Sequence, residues 1–140
     1  MPYNGLKNDM NSFAKFVFIY ETTIKHFSKA QDFILYNNDA ADFFKKYIQP
    51  KVRYVKGKEF VVFQDKPSKQ TLFFTKQTVQ ILDFCRHFRN SFTHATLGKN
   101  SMRLTINDSN RNKTTCLGDI DYSLVKDFIV IIVNGYESKD

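Results

Sequence analysis

Apolar residues recur at Leu6, Met10, Phe13, Val17, Tyr20, Ile24 and Phe27, in alternating steps of four and three. That spacing is a seven-residue helical stripe. Phe16, Phe18 and Ile19 widen it, which predicts a helix buried on more than one side, running toward Tyr36 and stopping near "NND". A shorter helix is expected over 40–48, ended by Pro50. The β-branched and aromatic stretch "KVRYVKGKEFVVF" then reads as a hairpin around "KGKE", followed by a loop at "DKPSKQ". A long helix is expected from between Thr71 and Thr75 to about Leu97, with Gly98 as its C-terminal cap. "MRLTI" and "KTTCL" flank the polar turn "NDSNRN" and predict a second hairpin. A last helix is expected from Asp119 or Asp121 to "NG" at 134–135, apolar around most of its circumference and therefore central.

These elements predict a mainly α fold: a helical bundle with one or two small β-hairpins, as a single domain over 1–140. The composition agrees with one domain. At 140 residues and 42% hydrophobic the chain can bury a sizeable core, and fifteen Phe and seven Tyr with no Trp make it aromatic. The longest strongly apolar run, "FIVIIV" at 128–133, is far short of the ~18 residues of a membrane span. No secretion signal is legible at the start of the sequence, so Cys85 and Cys116 are expected as reduced thiols in a cytoplasm.

Charge changes the picture through its distribution. The formal net charge is +7, and residues 45–76 hold nine basic and two acidic residues, the whole of that excess. Lys45, Lys46, Lys51, Arg53, Lys56 and Lys58 lead this block. A localised basic block suits a polyanion, most commonly nucleic acid, and it equally suits a solvated loop. Lysine dominates, which favours phosphate attraction over base reading.

The densest chemistry lies in "RHFRNSFTHA", residues 86–95. On a helix, Ile81, Phe84, Cys85, Phe88, Phe92 and Ala95 fall in one apolar arc, and Asp83, Arg86, His87, Asn90 and His94 fall opposite. Arg86, Asn90 and His94 form an i, i+4, i+8 row, with Arg89 at the border of the two faces. Such an edge has the parts to cut RNA without a metal. An imidazole, ordinarily titrating near ~6.5, can take a proton from a ribose 2′-hydroxyl or give one to the leaving 5′-oxygen. A guanidinium can bind the phosphate and stabilise the charge that builds on it. An amide can orient either partner. The same residues also suit a solvated helix face with a histidine near the last carbonyls. The histidines and cysteines lack zinc-ligand spacing, so no metal and no cofactor are expected. Asp119 and Asp121 are expected at a helix N-terminus, and Cys85 in the core.

The segment Arg89-Asn90-Ser91-Phe92-Thr93-His94 resembles the Arg-polar-x3-His signature of the HEPN superfamily, in its expected place toward the end of a long amphipathic helix. That resemblance implies a HEPN-like helical bundle and a metal-independent endoribonuclease leaving a 2′,3′-cyclic phosphate. It implies a homodimer that brings two motifs together, and a toxin or abortive-infection role against phage, with an antitoxin protein as a further partner. Arg89 would bind and stabilise the phosphate, Asn90 would position, and His94 would serve as acid or base. Arg86 and His87 are added as supporting residues from the helical row alone. The competing expectation is a non-catalytic HEPN-like module that binds nucleic acid or protein.

Overall fold

The computed structural model describes residues 9–55, 71–75, 78–94, 96–100, 102–110 and 113–138. Helix α1 spans Met10–Thr22 and buries Phe13, Phe16 and Ile19. It stops earlier than its stripe suggests, at two consecutive β-branched residues. The Thr22 hydroxyl donates back to the Phe18 carbonyl at 2.9 Å, and Thr23 leaves helical geometry. A 3-10 turn at Ile24–His26 leads to α2 (Ala30–Tyr36) and α3 (Asn38–Phe43), which continues as a π turn over Phe44–Ile48. The Asn37 side chain caps α3 by accepting the Ala40 N–H at 3.0 Å.

The mainly α bundle expected from the pattern is corrected: the fold is α+β, with a five-stranded sheet. The strands are β1 (Val52–Tyr54), β2 (Thr71–Phe74), β3 (Gly98–Asn100), β4 (Arg103–Asn110) and β5 (Lys113–Asp121), in the order β1-β2-β5-β4-β3. The β1–β2 pair is parallel and the others are antiparallel. The β4–β5 hairpin forms where expected and runs further on both sides, through most of the polar segment taken for its turn. The expected 51–63 hairpin is not what β1 makes within the described residues, since its partner there is β2; residues 56–63 lie outside them. "TLFF" is a strand rather than the start of the long helix. A buried strand of four residues carries no periodicity that separates it from helix.

The long helix, α4, spans Gln80–Thr93, and α5 spans Tyr122–Ser138. Gly98 lies in β3, with His94 as the residue that closes α4. Asp119 and Asp121 lie on β5, where Arg103 pairs with Asp119 at 2.8 Å. One sheet face buries Leu72, Phe74, Leu104, Ile106, Cys116 and Ile120. Helix α5 is central as expected, with Val125, Phe128, Ile129 and Ile132 fully buried. The helices interlock through aromatic edges: Phe13 and Phe16 lie 5.1 and 5.5 Å from Phe88, and Phe84 lies 5.6 Å from Phe128. Both cysteines are free and buried. Among the described residues no helix is long and apolar enough to cross a membrane.

Candidate functional site

Helix α4 lies between α1 and the sheet, and this decides what its polar row can do. The apolar arc faces α1 through Phe88 and Phe92. Much of the opposite side is closed to solvent where β4 packs on it, with Arg86 and Asn90 half-buried and His94 exposed at the end. Asp83, His87 and Ser91 are fully buried. The Ser91 hydroxyl donates to the Asn107 carbonyl of β4 at 3.2 Å.

His87 is 0% exposed, and its Nδ1 lies 2.8 Å from Oδ2 of Asp108, itself 4% exposed on β4. Burial holds the imidazole below its ordinary pKa and outweighs the attraction of the Asp108 carboxylate; the nearby Arg86 guanidinium acts in the same direction as burial. The ring is therefore neutral, donating from Nδ1 to Asp108. Its Nε2 faces Nη2 of Arg86 at 3.3 Å, and Phe74 packs on it with ring centroids 4.8 Å apart. A histidine so enclosed cannot reach a substrate, so the supporting role expected for His87 narrows to holding its neighbours.

Asn90 follows one turn later. Its Nδ2 donates to the same Asp108 oxygen at 3.2 Å, and its Oδ1 accepts from Nη1 of Arg89 at 2.7 Å. The second arm of Arg89, Nη2, pairs with Glu21 of α1 at 2.5 Å. The Glu21 carboxyl is held below the usual range, first by its Lys25 hydrogen bond and also by Arg89. His94 closes the helix, its N–H on the Asn90 carbonyl at 2.9 Å, with its side chain exposed. Arg89, Asn90 and His94 thus share the C-terminal end of α4, with Asn90 locked, Arg89 partly exposed and His94 open.

The other end of α4 is different. Asp83 accepts the Thr78 N–H at 3.1 Å, the Thr78 hydroxyl at 2.8 Å and the Tyr54 hydroxyl at 3.2 Å. Burial, reinforced by Asp83, pushes the Tyr54 phenol well above its ordinary range. Beside it lies a cavity of about 330 Å³ lined in part by Lys45, Tyr54, Thr78, Gln80 and Ile81. Of the basic block, Lys45, Lys46 and Arg53 are exposed and Lys51 is half-buried; Lys56 and Lys58 lie outside the described residues. The fourteen residues of α4 rise ~21 Å. The structure therefore brings Arg89, Asn90 and His94 together and sets Lys45 at the far end of the helix.

Asp108 and Glu21 organise this site, and neither was singled out from the sequence. A signal for Asp108 existed: Leu104, Ile106 and Asp108 alternate on one strand face, so a strand through 108 buries its carboxylate with them. Glu21 carries no comparable sequence signal, because its partner Arg89 is distant in the chain. Comparison with family models, with characterised proteins and with solved structures finds no match to this chain.

Proposed function

We propose that the protein is a metal-independent endoribonuclease of HEPN type, acting at the C-terminal end of α4. The observation that carries this reading is the pairing of an open His94 with an Asn90 amide tied between Asp108 and Arg89 one helical turn away. Positions i and i+4 stand about 6 Å apart on a helix face, a spacing that one phosphodiester can bridge. Arg89 binds and stabilises the phosphate, Asn90 positions, and His94 moves the proton. The reaction needs both an acid and a base, which supports a homodimer in which a second copy contributes its own His94. The resemblance of the Arg89–His94 segment supports a toxin or abortive-infection role with a protein antitoxin. The reading rests on that segment and its setting, and no longer on a bundle architecture.

The second reading, a non-catalytic module that binds nucleic acid or protein, is favoured by one observation. Glu21 already supplies Arg89 with a counter-charge at 2.5 Å, as a clamp between α1 and α4 would. Cleavage of an RNA pool in excess EDTA separates the two. Wild-type protein is expected to cleave and leave cyclic-phosphate ends, while folded His94→Ala and Arg89→Ala variants each lose about 100-fold or more in rate. No cleavage by wild type, or equal cleavage by all three, favours the binding module.

A further inference from the structure

We propose that Asp108 of β4 is a positioning residue that acts through the Asn90 amide to set the Arg89 guanidinium. The consequence for catalysis rests on the ribonuclease reading; the positioning does not.

Hydrogen-bond direction carries the inference. A carboxylate only accepts, so His87 and Asn90 both donate to Asp108 Oδ2, at 2.8 and 3.2 Å. A guanidinium only donates, so Arg86 at 3.3 Å requires a lone pair on His87 Nε2. The imidazole tautomer is thus set from both sides. An amide whose NH2 faces the carboxylate has its carbonyl on the other side, where Nη1 of Arg89 sits at 2.7 Å. Reversing that amide would set N–H against N–H and carbonyl against carboxylate. Glu21 holds the second arm at 2.5 Å, so the guanidinium is fixed at two points. The Arg89 Nε–H is buried without a partner among the described residues. The network therefore settles the placement of Arg89 over the satisfaction of one of its own donors. Because Asp108 is nearly inaccessible, it acts on any substrate through these neighbours alone.

The test is a double-mutant cycle on cleavage of a fluorescein-labelled single-stranded RNA by the full chain. Asp108→Asn and Asn90→Ala are each expected to lower kcat by about 100-fold with KM little changed, the cost of misplacing a reacting group. Adding D108N to N90A is expected to lower kcat no further. Losses that multiply, or a folded D108N with wild-type kcat, overturn the proposal. A second measurement decides the matter where D108N does not fold, or where wild type does not cleave and the ribonuclease reading fails. In nitrogen-15-labelled protein the Asn90 side-chain NH2 is identified by its loss in N90A. It is expected to exchange with solvent at least about tenfold more slowly than surface asparagine amides. Exchange at the surface rate overturns the proposal.

Discussion

A buried imidazole beside a buried carboxylate has two protonation schemes, and at His87 the surroundings choose the neutral one. Burial and the Arg86 guanidinium lower the pKa against the pull of Asp108. The unfolded histidine, near ~6.5, therefore takes a proton before the folded one does. The stability that follows is fully present above that value and is lost as pH falls from it through the lower folded pKa. Replacing His87 by Leu removes a donor from Asp108 and is expected to cost about 2–3 kcal/mol at pH 7.5, read from urea midpoints. The gap between wild type and H87L should narrow between pH 7 and pH 5; a widening gap would mean an imidazolium–carboxylate pair instead. Helical position put both His87 and His94 on the polar side, and only the Arg89–His94 spacing set His94 apart. Burial separates them, because β4 covers position 87 and leaves position 94 open.

At the scale of elements, the sheet depends on one glycine. Gly118 of β5 has φ of +150°, and a Cβ there would lie 2.1 Å from the Thr71 carbonyl oxygen of β2. Neither the strand pairing nor that backbone conformation accommodates a side chain. Gly118→Ala is expected to cost at least about 2 kcal/mol, measured by chemical denaturation, whereas Gly98→Ala, with open space around its Cβ direction, should be nearly neutral. The helices were the legible elements. The stripes of α1 and α5 required only local spacing, and both helices form; within α1 Phe13, Phe16 and Ile19 are buried, Met10, Val17 and Tyr20 are half-buried, and Phe18 is exposed. "TLFF" was not legible as a strand, since its identity rests on pairing with β5, some 45 residues away. The faces of α4 were legible as apolar and polar, but which face meets water was not. A polar row reads as solvated until another element is known to lie on it.

Across the whole molecule, the proposed site and Lys45 of the basic block sit apart. Lys45 lines the cavity at the start of α4, about 21 Å by helix length from the end that carries His94. The Debye length at physiological salt is about 8 Å, so under the ribonuclease reading these cations would act on binding rather than on the chemical step. Under the ribonuclease reading, reversing Lys45 and Lys46 to Glu is expected to raise KM several-fold and leave kcat unchanged, checked by steady-state cleavage at low and at physiological salt. The sheet is equally a property of the whole. Deleting 103–121 and joining Met102 to Tyr122 removes β4, which packs on α4, and β5, which pairs with β2, and leaves every helix in the chain. The variant is expected to lose cooperative thermal unfolding, where a helical bundle that merely carried an appended hairpin would retain it.

Local order in the chain was enough to establish the helical stripes, the aromatic core, the 45–76 charge block and the Arg89-Asn90-x3-His94 spacing. Each of these is a relation between neighbours, which periodicity and composition report directly. The sheet, the burial of His87, the Asp108 carboxylate behind Asn90 and the Glu21 arm on Arg89 came from contacts between residues distant in sequence. Burial and hydrogen-bond partnership depend on what lies across from a residue, and a linear pattern records only what lies beside it.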